Sequence, residues 1–548
     1  MRAPAVPLKG GDDKPDWLNS EAMSNLESGS TPTSSANSTG LSAIDLAIFV
    51  SRAEAVCAEM GALLQRSAFS PNIKDRLDFS CALFDRSGAL FAQAAHIPVH
   101  LGSMAYAMSS IVDGREWLDG DMLVVNDPFL GGTHLPDVTM IAPLFVDQQL
   151  VAFVANRAHH ANIGADSPGS MPLSRSIEEE GMIIPPTRFM RDNAIIEAVF
   201  SNITQLPGAD TSGDFAAQIS ANVAGLRRLK EIVGNMGVDS FATAVSELNE
   251  YGRRLARVAL QRIPHGEYKF QDLMDDNGFG QQDIELVVSI RVGDDIQVDF
   301  TGTSKQLEGN INCPLSVAAA GVYYAFRCLM PDSTPNCAGT FDQIKISAPS
   351  GCLVNAERPA ATAAGNVETS MRVVDVVLGA LASALPGEIP AASQGTMNNV
   401  AMGNHQTNQP WDYYETMAGG LGASRSTAGL DALQSHMTNT LNTPIESLES
   451  HYPLRVLEYS IRTHSGGAGL MSGGDGLVRA FEFLAPAEVT LLTERRRRGP
   501  WGLAGGESGQ PGKQTLDGEV LPAKVNFKAR TGQVLRVETP GGGGFGKK

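Results

Sequence analysis

Apolar runs interrupted by short turn sequences predict β-hairpins in several parts of the chain. The runs at 79–84 and 89–95 flank Asp-Arg-Ser-Gly, and those at 284–292 and 296–301 flank Gly-Asp-Asp. Turn residues between two apolar runs are typical of hairpins. A further strand is predicted at 121–126. We therefore expect several antiparallel strand pairs.

Apolar residues spaced three and four positions apart predict helices between these strands. Ser42 followed by Asp45 resembles a capping box at the start of the first helix. Gly237 separates two consecutive helices, and Pro386 ends another. The predicted helices span residues 43–65, 215–236, 240–263, 316–329 and 368–385.

These elements predict an α+β protein, a large chain of several subdomains in which antiparallel hairpins and mixed sheets are flanked by helices and glycine-rich loops. A chain of 548 residues is too long for one hydrophobic core. The expected segments are a disordered tail at 1–41, a catalytic region at 42–210, a helical hairpin at 211–265, an α+β subdomain at 266–395 and a glycine-rich, β-rich region at 396–548.

Composition limits the partners that the chain can have. Its net charge of −18 opposes non-specific binding to nucleic acids and anionic membranes, and the basic run at 495–498 is interpreted as a solvated or interface patch. Six scattered cysteines without a C-x-x-C pair are typical of a reduced, cytoplasmic protein. No stretch approaches the roughly 18 apolar residues of a membrane span. We expect a cytoplasmic protein with no nucleic-acid or membrane partner.

Two glycine-rich stretches resemble phosphate loops only superficially. The stretch at 506–514 reads G-E-S-G-Q-P-G-K-Q, with Glu507 where a glycine is due and Gln514 where a hydroxyl should hold Mg²⁺. The terminal T-P-G-G-G-G-F-G follows no strand that leads into a helix, which favours a structural loop. The sequence therefore predicts no nucleotide site on this chain.

The densest group of potential metal ligands lies between residues 126 and 164. The segment begins N-D-P-F-L-G-G-T-H-L-P-D, continues as two apolar arms and ends N-R-A-H-H-A-N-I-G. If the arms form a hairpin with a three-residue turn centred on Gln148, residues equidistant from Gln148 face each other. Asp137 then lies opposite His159, about 4.5–5.5 Å apart at Cβ. A register error of one residue would put His160 in that place.

His134 stands three residues before Asp137. Pro136 disfavours a helix there, so we expect the H-L-P-D segment to curl as a loop that brings both side chains together. Two imidazoles with one or two carboxylates suit Zn, Mn or Fe. Asp75, Asp78 and Asp127 are candidates for a further ligand. The alternative is that these residues are capping aspartates and hydrogen-bonded histidines.

Other polar residues are ambiguous from the sequence. Asn366 and Glu368 stand at a predicted helix start, where capping is the ordinary role and contact with an anionic substrate is the alternative. The run 178–180 is interpreted as a solvated acidic turn. His436 is interpreted as a hydrogen-bonded loop histidine, with a position beside the site that supports a ligand as the alternative.

Several motifs occur in the order found in one known family, and between residues 45 and 546 the chain resembles the hydantoinase B/5-oxoprolinase family. The motifs are S-P-N-I-K-D-R-L-D-F-S-C-A-L-F-D, N-D-P-F-L-G-G-T-H-L-P-D, N-R-A-H-H-A-N-I-G, P-G-S-M-P, A-A-G-N-V-E-T-S, H-M-T-N-T-L-N-T-P-I-E and T-P-G-G-G-G-F-G.

The resemblance implies the B-type subunit of a two-component enzyme. Its partner is a hydantoinase A-type subunit with an actin-like ATPase fold, which binds ATP and Mg²⁺ and phosphorylates the substrate. The B-type subunit completes hydrolysis of a cyclic amide such as a hydantoin, 5-oxoproline or a lactam. The metal ligands implied by the family motifs are Asp75, His134, Asp137 and His159. Position 75 is Asp here, whereas Glu is commoner in the family.

We therefore expect a subunit of an ATP-dependent cyclic amide hydrolase, in a hetero-tetramer or larger assembly, with one divalent metal (Zn, Mn or Fe). The metal would activate water or bicarbonate for attack on the activated carbon. Asp127 or His160 would orient that nucleophile. The alternative is a subunit of a ketone carboxylase similar to acetone or acetophenone carboxylase, although those acetone carboxylases have a larger B-type chain. A non-catalytic scaffold for the ATPase is a third interpretation.

Overall fold

The computed structural model describes residues 41–548 except 95, 207–208 and 408–409. Apart from Leu41, the predicted tail lies outside the described residues. The helices are α1 (Ala43–Ser67), α2 (Pro71–Lys74), α3 (Pro98–Val112), α4 (Glu197–Thr204), α5 (Ser212–Met236), α6 (Val238–Leu260), α7 (Leu315–Arg327), α8 (Ala338–Phe341), α9 (Ser370–Ala384), which a π-helical turn (Gly365–Thr369) precedes, and α10 (Ile445–His451).

The five predicted helices are present as α1, α5, α6, α7 and α9, with ends shifted by a few residues. Ser42 caps α1 by accepting a hydrogen bond from the Asp45 amide at 3.2 Å. Helix α3 was not predicted. Its less buried face carries Gly102, Ala105 and Tyr106 and no charged residue, so it lacks the clearly polar face that the apolar spacing rule requires.

The first sheet has seven antiparallel strands in the order β2-β1-β5-β4-β3-β6-β7. Cys81 and Leu83 of β1 pack in one core with α1 and α5, whereas Ala82 and Phe84 pack in another with α3. Because both faces are covered there, β1 is apolar along nearly its whole length. The strands are β1 (Phe79–Asp85), β2 (Leu90–Gln93), β3 (Met122–Val125), β4 (Asp137–Val146), β5 (Gln149–His159), β6 (Thr187–Arg191) and β7 (Ala194–Ile195).

The β4–β5 hairpin has the predicted register at its open end but a different turn. Asp147 and Gln148 form a two-residue turn with φ angles of 48° and 64°. An irregularity between Leu144 and Phe145 then shifts the register. From there to the end of the hairpin the pairing is the predicted one, and Asp137 lies opposite His159. The predicted pairing is confirmed, whereas the predicted three-residue turn is wrong.

The other strands form smaller sheets. β10 to β13 follow one another in a sheet that α9 covers, and only its β12–β13 pair is parallel. The C-terminal sheets have the orders β15-β14-β18-β21 and β16-β17-β22-β19-β20, and β8 pairs with β9. The fold class is α+β, as predicted, whereas the five-segment division stays a prediction. These strands are β8 (Gln205–Leu206), β9 (Ala209–Asp210), β10 (Gly266–Asp276), β11 (Gln282–Val292), β12 (Ile296–Asp299), β13 (Ile344–Ser347), β14 (Asn399–Asn404), β15 (Trp411–Glu415), β16 (Leu454–Arg462), β17 (Gly476–Phe483), β18 (Ala487–Leu492), β19 (Lys513–Leu516), β20 (Glu519–Val520), β21 (Lys524–Ala529) and β22 (Val534–Glu538).

The glycine-rich C-terminus is packed backbone against backbone. The amide of Gly542 donates to the carbonyl of Gly474 at 2.9 Å, and the carbonyl of Gly542 accepts from Gly467 at 2.8 Å. The amide of Gly543 donates to the carbonyl of Ala392 at 2.8 Å. The terminal motif therefore ties together three distant parts of the chain.

The basic run at 495–498 is only partly a surface patch. Arg495 is buried and pairs with Asp272 at 2.7 Å and Asp375 at 2.5 Å. Arg497 and Arg498 are partly exposed, and both pair with Asp283. The solvated interpretation is therefore wrong for Arg495, because two carboxylates from other segments compensate its buried charge.

Candidate metal centre

Three of the predicted ligands meet at one end of the first sheet. His134 lies in the loop before β4, Asp137 is the first residue of β4, and His159 is the last residue of β5. One ligand atom from each lies within 4.8 Å of the other two, and all three residues are buried. The amide of Asp137 donates to the carbonyl of His134 at 3.1 Å, so the H-L-P-D segment forms the predicted turn.

The facing atoms of this group have no hydrogen-bond partner among the described residues outside the group itself. They are Nε2 of His134, Oδ1 of Asp137 and Nε2 of His159. The first two atoms are 3.2 Å apart. Unpaired buried polar atoms cost about 1–3 kcal/mol each, so three that converge require an explanation. Two imidazole nitrogens and one carboxylate oxygen form a donor set that fits a divalent Zn, Mn or Fe ion.

Three donors fix the Asp137 carboxylate through its other oxygen. Oδ2 accepts from Oγ1 of Thr133 at 2.6 Å and from Nδ2 of Asn366 at 3.3 Å. Nε2 of His100 lies 3.1 Å from the same oxygen. Oδ1 is left facing the two imidazoles. The carboxylate is therefore oriented before any ion binds.

The Nδ1 atoms of His134 and His159 also have partners, which fix the orientation of the two imidazoles. Nδ1 of His134 lies 3.2 Å from the carbonyl oxygen of Ala363. A carbonyl can only accept, so Nδ1 carries the hydrogen, and in the neutral imidazole Nε2 has the lone pair. Nδ1 of His159 contacts the side-chain amide of Asn72 at 3.2 Å, and the ring stacks on Tyr414 with centroids 4.9 Å apart.

The pKa values of the three side chains are shifted in different directions by their surroundings. Burial favours the neutral form of Asp137, but His100 and His134 hold its pKa well below the usual range. Burial opposes charge on His134, but Asp137 raises the pKa of that imidazole. Burial, together with His134, lowers the pKa of His159 well below its usual value. An anionic carboxylate beside a neutral imidazole is the state that binds a cation.

The other predicted site residues do not belong to this group. The amide of Asp75 donates to the carbonyl of Pro71 at 2.9 Å and closes α2, and its residue is only partly buried. Asp127 accepts from the Phe129 amide at 3.1 Å and pairs with Arg358. The role of Asp75 as a ligand and that of Asp127 in orienting a nucleophile stay predictions.

His160 and Asp78 approach the group only indirectly. Nε2 of His160 lies 2.8 Å from Oε1 of Gln218, and its ring packs on Phe215 of α5. Asp78 lies 3.9 Å from Nε2 of His100. The predicted orienting role of His160 is likewise untested by these contacts.

Several residues around the group were missed by sequence reasoning. His100 stands on the unpredicted helix α3, and Glu180 was read as part of a solvated turn although it is fully buried. The only local signal for His100 is its position after a proline and a short apolar segment. Glu180 gives no local signal, because its burial depends on contacts with residues that are remote in sequence.

Two hydrogen bonds connect Glu368 to Tyr414, whose ring stacks on His159. Oε1 of Glu368 accepts from Nδ2 of Asn399 at 2.7 Å. Oδ1 of Asn399 accepts from the Tyr414 hydroxyl at 2.7 Å, and the Tyr414 ring stacks on His159. Burial raises the pKa of Glu368 to about 8. Glu368 is therefore neutral in the folded chain near pH 7.

Replacing Glu368 by Gln is expected to change the pH dependence of stability. The folded pKa lies above the ordinary value, so the stabilisation is complete below pH 4.5 and is lost as pH rises through about 8. Within that window the ionisation of Glu368 by itself lowers the stability of the wild-type chain by about 1.4 kcal/mol per pH unit. Glutamine cannot ionise. The melting temperature of E368Q relative to wild type should therefore rise between pH 6 and pH 9.

Melting curves at several pH values test this expectation. E178Q is the matched control, because Glu178 is exposed and should give a constant difference from wild type. Parallel pH profiles for wild type and E368Q would show that Glu368 does not titrate in this window.

The fold and the buried group define an α+β protein with a donor set of two imidazoles and one carboxylate. The chain belongs to the hydantoinase B/oxoprolinase family, whose model matches residues 42–548. The predicted family resemblance is confirmed. No helix within the described part of the chain is long and apolar enough to cross a membrane.

Relatives of known and unknown function share most of the chain. An uncharacterized protein of Methanocaldococcus jannaschii is 36% identical, over 92% of this chain and 90% of its own length. 5-Oxoprolinase 1 of Arabidopsis thaliana is 38% identical over 92% of this chain. This chain spans only 42% of the length of that oxoprolinase.

Two solved structures have the same fold. The ATP-dependent caprolactamase from Pseudomonas jessenii is 28% identical with a TM-score of 0.87, and the match covers 92% of this chain and 91% of that chain. Acetone carboxylase in its nucleotide-free form is 17% identical with a TM-score of 0.82, and the match covers 92% of this chain and 75% of that chain. The second likeness shows the fold alone.

Proposed function

We propose that this chain is the B-type subunit of an ATP-dependent amidohydrolase that opens a cyclic amide, such as a hydantoin, 5-oxoproline or a lactam. The observation that carries the proposal is the converging set of His134, Asp137 and His159, whose facing atoms are buried and have no partner outside the group among the described residues. The likeness to an ATP-dependent caprolactamase supports the substrate class. The assembly proposed is a hetero-oligomer with an A-type ATPase subunit.

The reaction is divided between the two subunits. The partner binds ATP and Mg²⁺ and phosphorylates the amide oxygen, which converts that oxygen into a good leaving group. This assignment agrees with the sequence at 506–514, which does not match a phosphate loop because Glu507 and Gln514 replace the required residues. On the present chain, water would then add to the activated carbon, and the C–N bond would break as a proton goes to the ring nitrogen. Hydrolysis of the resulting acyl phosphate would release phosphate and the carboxylate.

The residues around the group prepare it for a divalent cation. When bound, such an ion polarises an oxygen and lowers the pKa of water towards neutrality. His134, Asp137 and His159 would hold the ion, and the predicted fourth ligand is Asp75. Asp127 and His160 are the residues proposed to orient the nucleophile.

The decisive experiment combines this chain with its A-type partner, ATP and a panel of hydantoins, 5-oxoproline and lactams. Substrate-dependent phosphate release together with a ring-opened product is expected. Each subunit alone should give no product. If none of the cyclic amides stimulates phosphate release or is opened by the complete mixture, the proposal is wrong.

The alternative is a ketone carboxylase subunit. The chain is 28% identical to the caprolactamase but only 17% identical to the acetone carboxylase, so the sequence likeness favours hydrolysis. The same mixture, supplied with acetone or acetophenone with and without bicarbonate, separates the two functions. Bicarbonate-dependent carboxylation of a ketone, without amide opening, would favour the carboxylase function over the hydrolase function.

A further inference from the structure

The helix that leads into α9 contacts the metal group with its first turn. Its helical residues begin at 363 and continue through the π-helical turn into α9. The carbonyl of Ala363 accepts from Nδ1 of His134 at 3.2 Å, and Nδ2 of Asn366 donates to Asp137 at 3.3 Å. Two of the three ligands are therefore oriented by one helical turn. Turns of the π type are frequent at functional sites.

The start of this helix is held by a carboxylate from another segment. Oε1 of Glu180 accepts from the amides of Thr362 and Ala363, both at 2.9 Å, and from the hydroxyl of Ser174 at 2.7 Å. Oε2 accepts from the Thr362 amide at 3.1 Å and its hydroxyl at 3.3 Å. These donors are the ones that a helix start leaves free.

The surroundings of Glu180 explain what its carboxylate does. The side chain is fully buried, and within residues 41–548 as described no Lys or Arg forms an ion pair with it. Burying a carboxyl group without a cation is costly unless hydrogen bonds compensate for the lost water. Here the compensation comes mainly from two backbone amides at a helix start.

This arrangement also shows what occupies the free amides at the helix start. The amides of Thr362 and Ala363 would suit an anionic substrate. Glu180 already occupies them, so the donors serve the architecture of the site. The contact continues from Glu180 through Ala363 to His134, whose Nε2 faces the other two ligand atoms.

We propose that Glu180 is a positioning residue of the metal centre. By fixing the amides of Thr362 and Ala363 it sets the place of the Ala363 carbonyl. That carbonyl in turn fixes the orientation and tautomer of His134. This role rests on the metal centre proposed above.

The test measures binding of the metal ion alone. Purified wild type, E180A and E180D are stripped of metal and titrated with Zn²⁺ against a chromophoric chelator. Removing a group that orients a ligand typically weakens metal binding about 10–100-fold, which is the loss expected for E180A. E180D keeps a carboxylate but shortens its reach, so a smaller loss is expected. E178A is the matched control, since Glu178 is exposed two residues away.

The visible spectrum of bound Co²⁺ gives a second readout, which a purely structural role would not move. E180A should shift the ligand-field bands, while E178A should reproduce the wild-type spectrum. Affinities are referred to the folded fraction, measured by circular dichroism. If E180A does not fold, E180D decides.

The outcomes separate this role from the proposed function. The positioning role would be overturned if folded E180A had the wild-type Zn²⁺ affinity and an unchanged Co²⁺ spectrum. If E180A does not fold, the same result in E180D would overturn it. The proposed metal centre would not be affected by either result. A wild-type chain that binds neither ion would overturn the metal centre and the role of Glu180 with it.

Discussion

The His159→Ala variant is expected to lose its metal and to fall more than about a thousandfold in ATP-dependent ring opening, equivalent to about 4 kcal/mol in the activation free energy. His159 supplies one of three donor atoms, and none of the described neighbours replaces it. The remaining pair, His134 and Asp137, would hold a divalent ion only weakly. The small side chain also leaves Tyr414 without its stacking partner.

Elemental analysis of the purified complex measures the first effect, and product formation from the cyclic amide measures the second. His265→Ala is the matched control, because His265 is exposed in the loop before β10. If His159→Ala contains as much metal as wild type, the proposed metal site, and with it the proposed function, is wrong. Full activity of a His134→Ala variant would favour the scaffold interpretation.

A single methyl group at Gly542 is expected to destabilise the protein on the order of 3–5 kcal/mol, above the usual cost of overpacking. A Cβ built at Gly542 would lie 2.0 Å from the carbonyl oxygen of Leu421 and 2.7 Å from the amide nitrogen of Gly422. Both are backbone atoms held by neighbouring segments. Relieving the clash requires this backbone to move, which strains the hydrogen bonds of Gly542 to Gly474 and Gly467.

Denaturant unfolding of Gly542→Ala and wild type measures this effect. The control is Gly234→Ala in α5, where an added Cβ meets nothing within 4 Å. Alanine is a better helix former than glycine by about 1 kcal/mol, so Gly234→Ala should be neutral or stabilising. Equal midpoints for Gly542→Ala and wild type would show that the terminal glycines are not packed as described.

The most specific structural prediction from the sequence concerned one hairpin. Apolar arms around Gln148 correctly placed Asp137 opposite His159, because strand pairing follows from counting residues once the turn is located. The count was correct for a partly different reason. The turn is one residue shorter than expected, and an irregularity beside Leu144 compensates for it.

The surroundings of the metal group could not be predicted in the same way. His100, Glu180 and Asn366 each reach the site from a different segment, and loop closure over such distances leaves no periodic pattern in the sequence. Glu180 illustrates the difficulty. Its acidic neighbours suggest solvent, yet the remote helix start at residue 362 provides the donors that bury it.

The sequence by itself determined the helices with a polar face, the hairpins, the family resemblance and the pairing of Asp137 with His159. Each follows from contiguous residues, whose spacing alone decides which side chains share a face. Only the tertiary structure decided which carboxylates are buried, which donors orient Asp137 and His134, and why the terminal glycines must be glycines. These properties depend on backbone from distant segments meeting at contact distance.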